Sequence, residues 1–521
     1  MGRHIGERRR PSRGLLGAAA VWAVVWISLL LTVGGWWVRY RFGDVSFDQV
    51  IANLPGYGGG EGVGDSGIAV EAVLWCVVFP ALASLAISWG VLWGWRRLRR
   101  RQLFAVAWRR RLVAVLIPTL AVLTSAFVFL ESIGLPQYVV AAVSGQSFAS
   151  YYVTPEAEGE SEERLNLITI YMESVENTFT DEDIFGENLI SAVDEATTGD
   201  GWSSYDLGMY PGGGWTMAGI VSTQCGIPLK NQSLILDDAA DRAAAGVSAN
   251  AFGESVSRYL PGAVCLGDVL SDAGYTNVFY GGADTSFAGK QKFLEEHGYT
   301  DVSGLARWTA EGAQDQDISG WGLSDQALVA KAQTEIAELA AADEPFNFTM
   351  ITLDTHEPGN VYSSCGTDDE LAMKRALRCS SAAVAELLSF LNEGGYLDDT
   401  VVVVMGDHLK QAGQGTQYYE ELSSAQDRTI FYRVHTPSAI SFSRDSADQL
   451  SVLASTLDLL GLGSSTGRAG LGVSFLGDYD LSGTLLELTE DEYEAALDAP
   501  SADLYRMLWG GEGYTESSSL G

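Results

Sequence analysis

Three long apolar stretches set the pattern of the N-terminal part of the chain. Leu15–Val38 runs 24 residues without a charge, Gly67–Trp95 carries a single acid at Glu71, and Leu112–Leu130 is uncharged with Pro118 inside it. An α-helix needs about 20 apolar residues to cross a bilayer core, so each stretch is long enough to span. Proline is tolerated within such helices where neighbours satisfy the freed backbone groups. A cleaved signal peptide has a shorter apolar run and is not followed by two more spans. The pattern therefore predicts a membrane domain over residues 1–131, with transmembrane helices at about 15–38, 67–95 and 112–130. After residue 164 the period changes. Short β-branched runs, Leu165–Tyr171, Thr276–Tyr280, Phe346–Leu353, Thr400–Met405 and Thr429–Val434, alternate with stretches whose apolar residues recur every three to four positions, notably Ser324–Ala340 and Leu371–Leu391. That alternation predicts an α/β domain on a buried sheet, spanning 165–477. Residues 132–164, apolar at first and then acidic, read as a juxtamembrane linker lying along the bilayer. Residues 478–521 read as a peripheral acidic tail.

Charge divides along the same boundary. Of the 521 residues, 32 are basic and 67 acidic, a formal net charge of −35. Residues 1–131 hold 15 Arg, no Lys and 7 acids, leaving 17 basic and 60 acidic residues for the remainder. So negative a surface repels nucleic acid, which excludes it as a general partner. The arginines cluster before the first apolar stretch (Arg3, Arg8, Arg9, Arg10, Arg13) and between the second and third (Arg96 to Arg111). The positive-inside rule places both clusters in the cytoplasm and, after three crossings, puts everything beyond about Glu131 on the outer face of the plasma membrane. Four of the five cysteines, Cys225, Cys265, Cys365 and Cys379, fall in that exported part, where disulfides persist. Nearness in sequence favours Cys225–Cys265 and Cys365–Cys379 among the three possible pairings. Cys76 lies within a span and reads as a small apolar filler.

In open α/β sheets, ligand sites gather at the carboxyl ends of strands. One strand here ends in Met172-Glu173-Ser174, another in Gly406-Asp407-His408, and a third in Asp354-Thr355-His356-Glu357-Pro358. Glu173 with Asp407 and His408 makes a mixed oxygen and nitrogen donor set of the kind that holds Mn²⁺, Mg²⁺ or Zn²⁺. Any one of these triplets is common by chance; their recurrence at three strand ends, in a chain with five histidines, is not. A glycine-rich loop, Pro211–Gly214, then opens a helical pattern at Trp215-Thr216. A hydroxyl at a helix N-terminus meets free N–H groups and the positive end of the dipole, which suit an alkoxide and a phosphate. Taken by itself, the position favours the plainer reading that this hydroxyl caps the helix.

Taken together, LITIYMES, GGWTMAGIVSTQCGIPL, CLGDVLSDAGYTNVFYGGADTSFAGKQKFLEEHGY, LDTHEP and VVMGDH resemble the membrane-anchored phosphoglycerol transferases, which include lipoteichoic acid synthase and the glucan-modifying phosphoglycerol transferases. The resemblance covers roughly Leu165 to Leu476 and implies an exported domain of the sulfatase and alkaline-phosphatase type, a central mixed sheet flanked by helices. It implies that Thr216 is the nucleophile and that Glu173, Thr216, Asp407 and His408 ligate one divalent metal, Mn²⁺ or Mg²⁺. It also implies that His356 and Lys290 bind the phosphoryl group, with Asp284 facing the pocket. Lipoteichoic acid synthase uses an Arg in the segment that matches Phe287-Ala288-Gly289-Lys290, and Arg and Lys are not equivalent phosphate ligands. The donor implied is phosphatidylglycerol, the acceptor a glycan, glycolipid or polyglycerolphosphate chain, and the route a covalent glycerophospho-threonine.

Other members of the superfamily do different chemistry. A sulfatase needs a C-x-P-x-R context for its nucleophile, whereas Cys225-Gly226-Ile227-Pro228-Leu229 displaces the proline and lacks the Arg. A phosphoethanolamine transferase or a phosphodiester hydrolase would share the metal and threonine logic. A catalytically silent scaffold would be expected to have lost Thr216 or a ligand, and all four are present.

Overall fold

A computed structural model describes residues 13–52, 66–100, 107–144, 147–159, 164–230, 258–319, 321–342, 344–362, 365 and 371–510. Arg3, Arg8, Arg9, Arg10 and Arg101, and the end of the acidic tail, lie outside these residues. The chain divides into two compact units, Met1–Asp44 with Asp65–Pro136, and Val45–Gly64 with Gln137–Gly521.

The first unit is helical. Helices α1 (Arg13–Phe42), α3 (Ser66–Val73), α4 (Phe79–Arg100) and α5 (Ala107–Ser132) build it, with a π-helical turn at Leu74–Val78 joining α3 to α4. Three stretches, Gly17–Phe42, Val70–Arg97 and Val115–Ser132, are long and apolar enough to cross a membrane. Their apolar side chains point outward: Leu82, Leu85, Trp89, Val115 and Phe127 are all more than half exposed. In water such a surface would aggregate, so its solvent is lipid and the chain is membrane-anchored.

The second unit begins with the short helix α2 (Phe47–Ala52), which lies in sequence between α1 and α3, and resumes with α6 (Leu135–Ser144). Its centre is one seven-stranded mixed sheet. The strands are β1 (Asn166–Met172), β2 (Trp202–Ser204), β3 (Thr276–Gly281), β4 (Asp301–Ser303), β5 (Phe346–Ile351), β6 (Thr400–Gly406) and β7 (Tyr432–His435), ordered β2-β7-β6-β1-β5-β3-β4. The five strands from β6 to β4 are mutually parallel, and β7 and β2 add an antiparallel edge. The two-residue alternation of strand side chains splits the core. Leu167, Tyr171, Val401 and Val403 face one cluster with α7 (Thr216–Cys225), α8 (Leu266–Asp272) and α12 (Val452–Leu459). Ile168, Ile170, Val402 and Val404 face the other, with α10 (Asp325–Ala341) and α11 (Ala372–Glu393). Between them, α9 (Lys290–Glu296) follows β3. Both expected disulfides, Cys225–Cys265 and Cys365–Cys379, are formed.

Three expectations are corrected. The segment after 477 is not peripheral as far as it is described. Leu497, Leu504, Tyr505, Leu508 and Trp509 are buried, Tyr505 packing on Phe148 and Trp509 on Tyr259. Its helices are amphipathic, so acids on one face hide the apolar face from a reading by composition. The linker also enters the core: Phe148 is fully buried and Val153 bridges Gly470. The strand expected at Thr429–Val434 sits at Tyr432–His435, and the three-residue edges β2 and β4 gave too short a pattern to read.

Candidate active site

Because β1 pairs in parallel with both β5 and β6, the carboxyl ends of these three strands lie side by side. Glu173 follows β1, Thr352–His356 follow β5, and Asp407-His408 follow β6. Two glycines allow a helix and a turn to close on that edge. A Cβ on Gly406 would sit 2.0 Å from the Val175 carbonyl oxygen, and one on Gly219 of α7 would sit 2.1 Å from the Asp407 carbonyl oxygen. Only glycine permits either approach. α7 thereby brings its first residue, Thr216, to the metal-type donor set.

Glu173, Asp407 and His408 are each buried, with one donor atom apiece lying within 4.8 Å of the others. His408 Nε2 is 3.6 Å from Glu173 Oε1 and 3.5 Å from Asp407 Oδ2. The Thr216 hydroxyl donates to Glu173 Oε2 at 3.1 Å. Trp215, not Thr216, is the N-cap residue of α7, so the hydroxyl is turned to the carboxylate rather than spent on capping. The surrounding residues fix each ligand. Ser174, in the left-handed region at φ +57°, donates its N–H to Asp407 Oδ1 at 2.8 Å and its hydroxyl to Glu173 Oε1 at 2.7 Å. Thr352 Oγ1 accepts the Glu173 N–H at 3.0 Å, and Thr355 donates to the Glu173 carbonyl. Gln449 donates to the Asp407 carbonyl at 2.6 Å. Glu176 takes the Arg428 guanidinium and the Lys410 N–H, tying down the turn after His408.

These residues fit a divalent cation. Asp407 Oδ2 is buried without a hydrogen-bond partner, a costly state unless a positive group faces it. His408 Nδ1 lies 2.8 Å from the Leu409 carbonyl, which makes Nδ1 the donor and leaves Nε2 facing two carboxylates, where it holds a proton or, in its place, a cation. A metal-ligating imidazole is oriented in this way, its other ring N–H given to a backbone carbonyl. Separations up to 4.8 Å match donors placed about 2.0–2.5 Å from one centre. Among the described residues, Cys265, Asp268 and His297 also cluster, but the Cys265 sulfur is committed to its disulfide.

The electrostatics agree. Burial raises Asp407, and the Glu173 charge raises it further. Burial alone would raise Glu173 too, but facing His408 and His356 and the Ser174 hydrogen bond hold it below its ordinary value. Burial would lower His408, and the two carboxylates override it and raise it. Lys290 is also buried; desolvation lowers it against the pull of Glu173, Asp407 and Asp284. His356 is half-buried beside Glu173, and its ring lies 4.0 Å from that of Trp321. Asp284 is half-buried in the loop after β3, where it accepts the Ser286 N–H at 2.8 Å.

Ser174, Thr352, Thr355, Gln449 and Trp321 are the contributors that sequence reading missed. Their residue types are frequent in loops, and only the fold shows what they touch.

The model of the Sulfatase family matches residues 246–460, which include Lys290, His356, Asp407 and His408. Phosphoglycerol transferase I of Xanthomonas axonopodis pv. citri is 34% identical over 256 residues, 47% of this chain and 34% of its own. Phosphoglycerol transferase I of Salmonella paratyphi B is 32% identical over 355 residues, 66% of this chain and 43% of its own. The chain thus spans about a third to under half the length of these curated relatives. The lipoteichoic acid synthase LtaP from Listeria monocytogenes superposes with a TM-score of 0.46 at 16% identity over 69% of this chain and 95% of its own, and that likeness carries no weight beside the sequence matches. The chain thus joins three apolar helices to an α/β domain on a mixed seven-stranded sheet, part of that domain matches the Sulfatase family model, and the chain is similar to the phosphoglycerol transferases I over part of their length.

Proposed function

We propose that the protein is a membrane-anchored phosphoglycerol transferase with Thr216 as its nucleophile. One observation carries this reading: the Thr216 hydroxyl, at the N-terminus of α7, donates to Glu173 within the buried Glu173–Asp407–His408 set. A divalent cation held there, Mn²⁺ or Mg²⁺, lowers the pKa of a coordinated alcohol and offsets charge on phosphoryl oxygens. Thr216 Oγ attacks the phosphorus of phosphatidylglycerol, the P–O bond to diacylglycerol breaks, and the departing oxygen takes a proton. The glycerophospho group left on Thr216 passes to a hydroxyl of a glycan or glycolipid acceptor, which gives up its proton and releases the threonine. Lys290 and His356 bind the phosphoryl oxygens, and Asp284 helps hold Lys290. The amides at the start of α7 add donors to the same oxygens.

The catalytic domain is taken to lie outside the plasma membrane. Its two disulfides, the arginine distribution and the packing of α2 on the same unit support this, since α2 lies between the first two spans and must share a side with the domain it packs against. The names of the similar proteins, phosphoglycerol transferase I, support phosphoglycerol as the group transferred.

The full chain in lipid nanodiscs, given Mn²⁺ and phosphatidylglycerol labelled in its headgroup glycerol, is expected to carry label on Thr216, and Thr216→Ala to carry none. Label arriving only from phosphatidylethanolamine would reassign the donor. Label on a residue other than Thr216, or on none with either lipid, would overturn the mechanism.

A further inference from the structure

We infer that α2, the helix between the first two apolar helices, positions the nucleophile, with Gln49, Asp48 and Lys230 as positioning residues. It grips both flanks of α7. Gln49 is buried and its Nε2 donates to the Gly214 carbonyl at 3.2 Å, two residues before Thr216. Ser46, which precedes α2, lies 3.6 Å from where a Cβ on Gly212 would stand. On the far flank, Asp48 Oδ2 pairs with Lys230 Nζ at 3.4 Å, five residues after α7 ends. The two side chains are only 14% and 8% exposed. α2 has a foothold of its own, since the Phe47 ring packs 5.2 Å from that of Tyr138 on α6.

The loop that α2 holds is rich in glycine, Gly212-Gly213-Gly214, and Gly212 sits at φ +92°. Such a loop has little side-chain packing of its own to fix it. An external hydrogen bond at Gly214 and a shielded ion pair beyond Cys225 supply what its sequence lacks. The Thr216 hydroxyl can meet Glu173 and a bound phosphoryl group only if the start of α7 stays in register. A misplacement of about 1 Å at a reacting group costs on the order of 10²-fold in rate. A segment some 170 residues upstream therefore belongs to the working site.

This rests on the reading of Thr216 as nucleophile, and the test separates the two. In nanodiscs, hydrogen exchange of peptides across 211–230 is measured without substrate for the wild type, Gln49→Ala, Asp48→Lys, and Asp48→Lys combined with Lys230→Asp. Faster exchange confined to 211–230 in the first two variants, with Mn²⁺ affinity kept within about threefold, is expected. Headgroup transfer should then show kcat lowered about 10- to 100-fold with KM little changed, and the charge-swapped double variant should recover to within about threefold of wild type. Unchanged exchange across 211–230 would overturn the inference whatever the substrate proves to be. So would a charge swap that restores nothing, or an Asp48→Lys chain that loses Mn²⁺ binding and loosens throughout. Wild type inactive on phosphatidylglycerol but showing the local exchange response would count against the donor assignment and still support α2 as the element that holds α7.

Discussion

The domain buries two pairs of carboxylates, and they are treated in opposite ways. Asp325 and Asp354 sit at the N-terminus of α10 and after β5. Asp325 accepts the Leu353 N–H at 2.6 Å, and Asp354 accepts the Asp325 N–H at 3.2 Å. That pair is satisfied by backbone donors and staples the turn leading to His356. Glu173 and Asp407 differ, because Asp407 Oδ2 has no hydrogen-bond partner and His408 Nε2 faces both carboxylates at 3.5–3.6 Å. Burial alone does not mark a functional site, since both pairs are buried. What marks it is a donor set left incomplete by the protein's own atoms. A structural pair should work without a cation; a ligand pair should not.

The strongest way to break that contrast is Asp407→Asn. It keeps the shape, removes a charge the cation needs, and is expected to lower headgroup transfer by on the order of 10³-fold or more with Mn²⁺ affinity falling in parallel. Metal-free thermal stability should hold or rise, because a buried charge beside Glu173 has gone. A variant that keeps wild-type Mn²⁺ affinity by calorimetry would show that Asp407 is not a ligand.

Metal removal sharpens the same point. Metal that binds only the folded chain stabilises by about 2.7 kcal/mol at 100 times its Kd. Stripping the wild type with chelator should lower its melting temperature, and Mn²⁺ should restore it. In Asp407→Asn the response should be nearly flat, whereas Asp354→Asn should retain it. Equal responses in both variants would erase the distinction between the pairs.

Much of this was legible in the chain. The runs LNLITIY, FNFTMITL and TVVVVM mark strands because a sheet buried on both faces needs uninterrupted apolar residues, and the acids and histidines that follow mark their ends. The spans were readable because lipid demands length. What stayed hidden depends on contacts distant in sequence. Gln49, Asp48 and Lys230 are unremarkable polar residues until α2 is seen on the α7 flanks. Ser174 and Gln449 gain a role only once Asp407 is beside them. The apolar stripe of residues 490–510 was masked by its acids, and the two three-residue edge strands are held by neighbours rather than by propensity.

The smallest expected effect concerns the satisfied pair and the pH dependence of stability. Burial raises Asp325 to about 6, and burial together with the Asp325 charge raises Asp354 well above its ordinary value. A carboxyl whose folded pKa exceeds its unfolded value near 3.9 binds protons more readily when folded. Stability from this pair is therefore fully present below about pH 4 and is lost as pH rises through the raised folded-state values, about 6 for Asp325 and well above the ordinary range for Asp354. One such shift amounts to about 1–3 kcal/mol. Asp354→Asn removes one charge, keeps an oxygen for the Asp325 N–H, and lets Asp325 ionise with less penalty. In metal-free protein, the fall in melting temperature between pH 4.5 and 7.5 should be shallower for Asp354→Asn than for wild type, and the variant should be as stable or more so at pH 7.5. Glu173 and Asp407 are intact in both chains, so the difference reports the loss of the Asp354 charge. An identical slope in the two proteins would mean that Asp325 and Asp354 are not coupled, and that their backbone hydrogen bonds satisfy both in the ionised state.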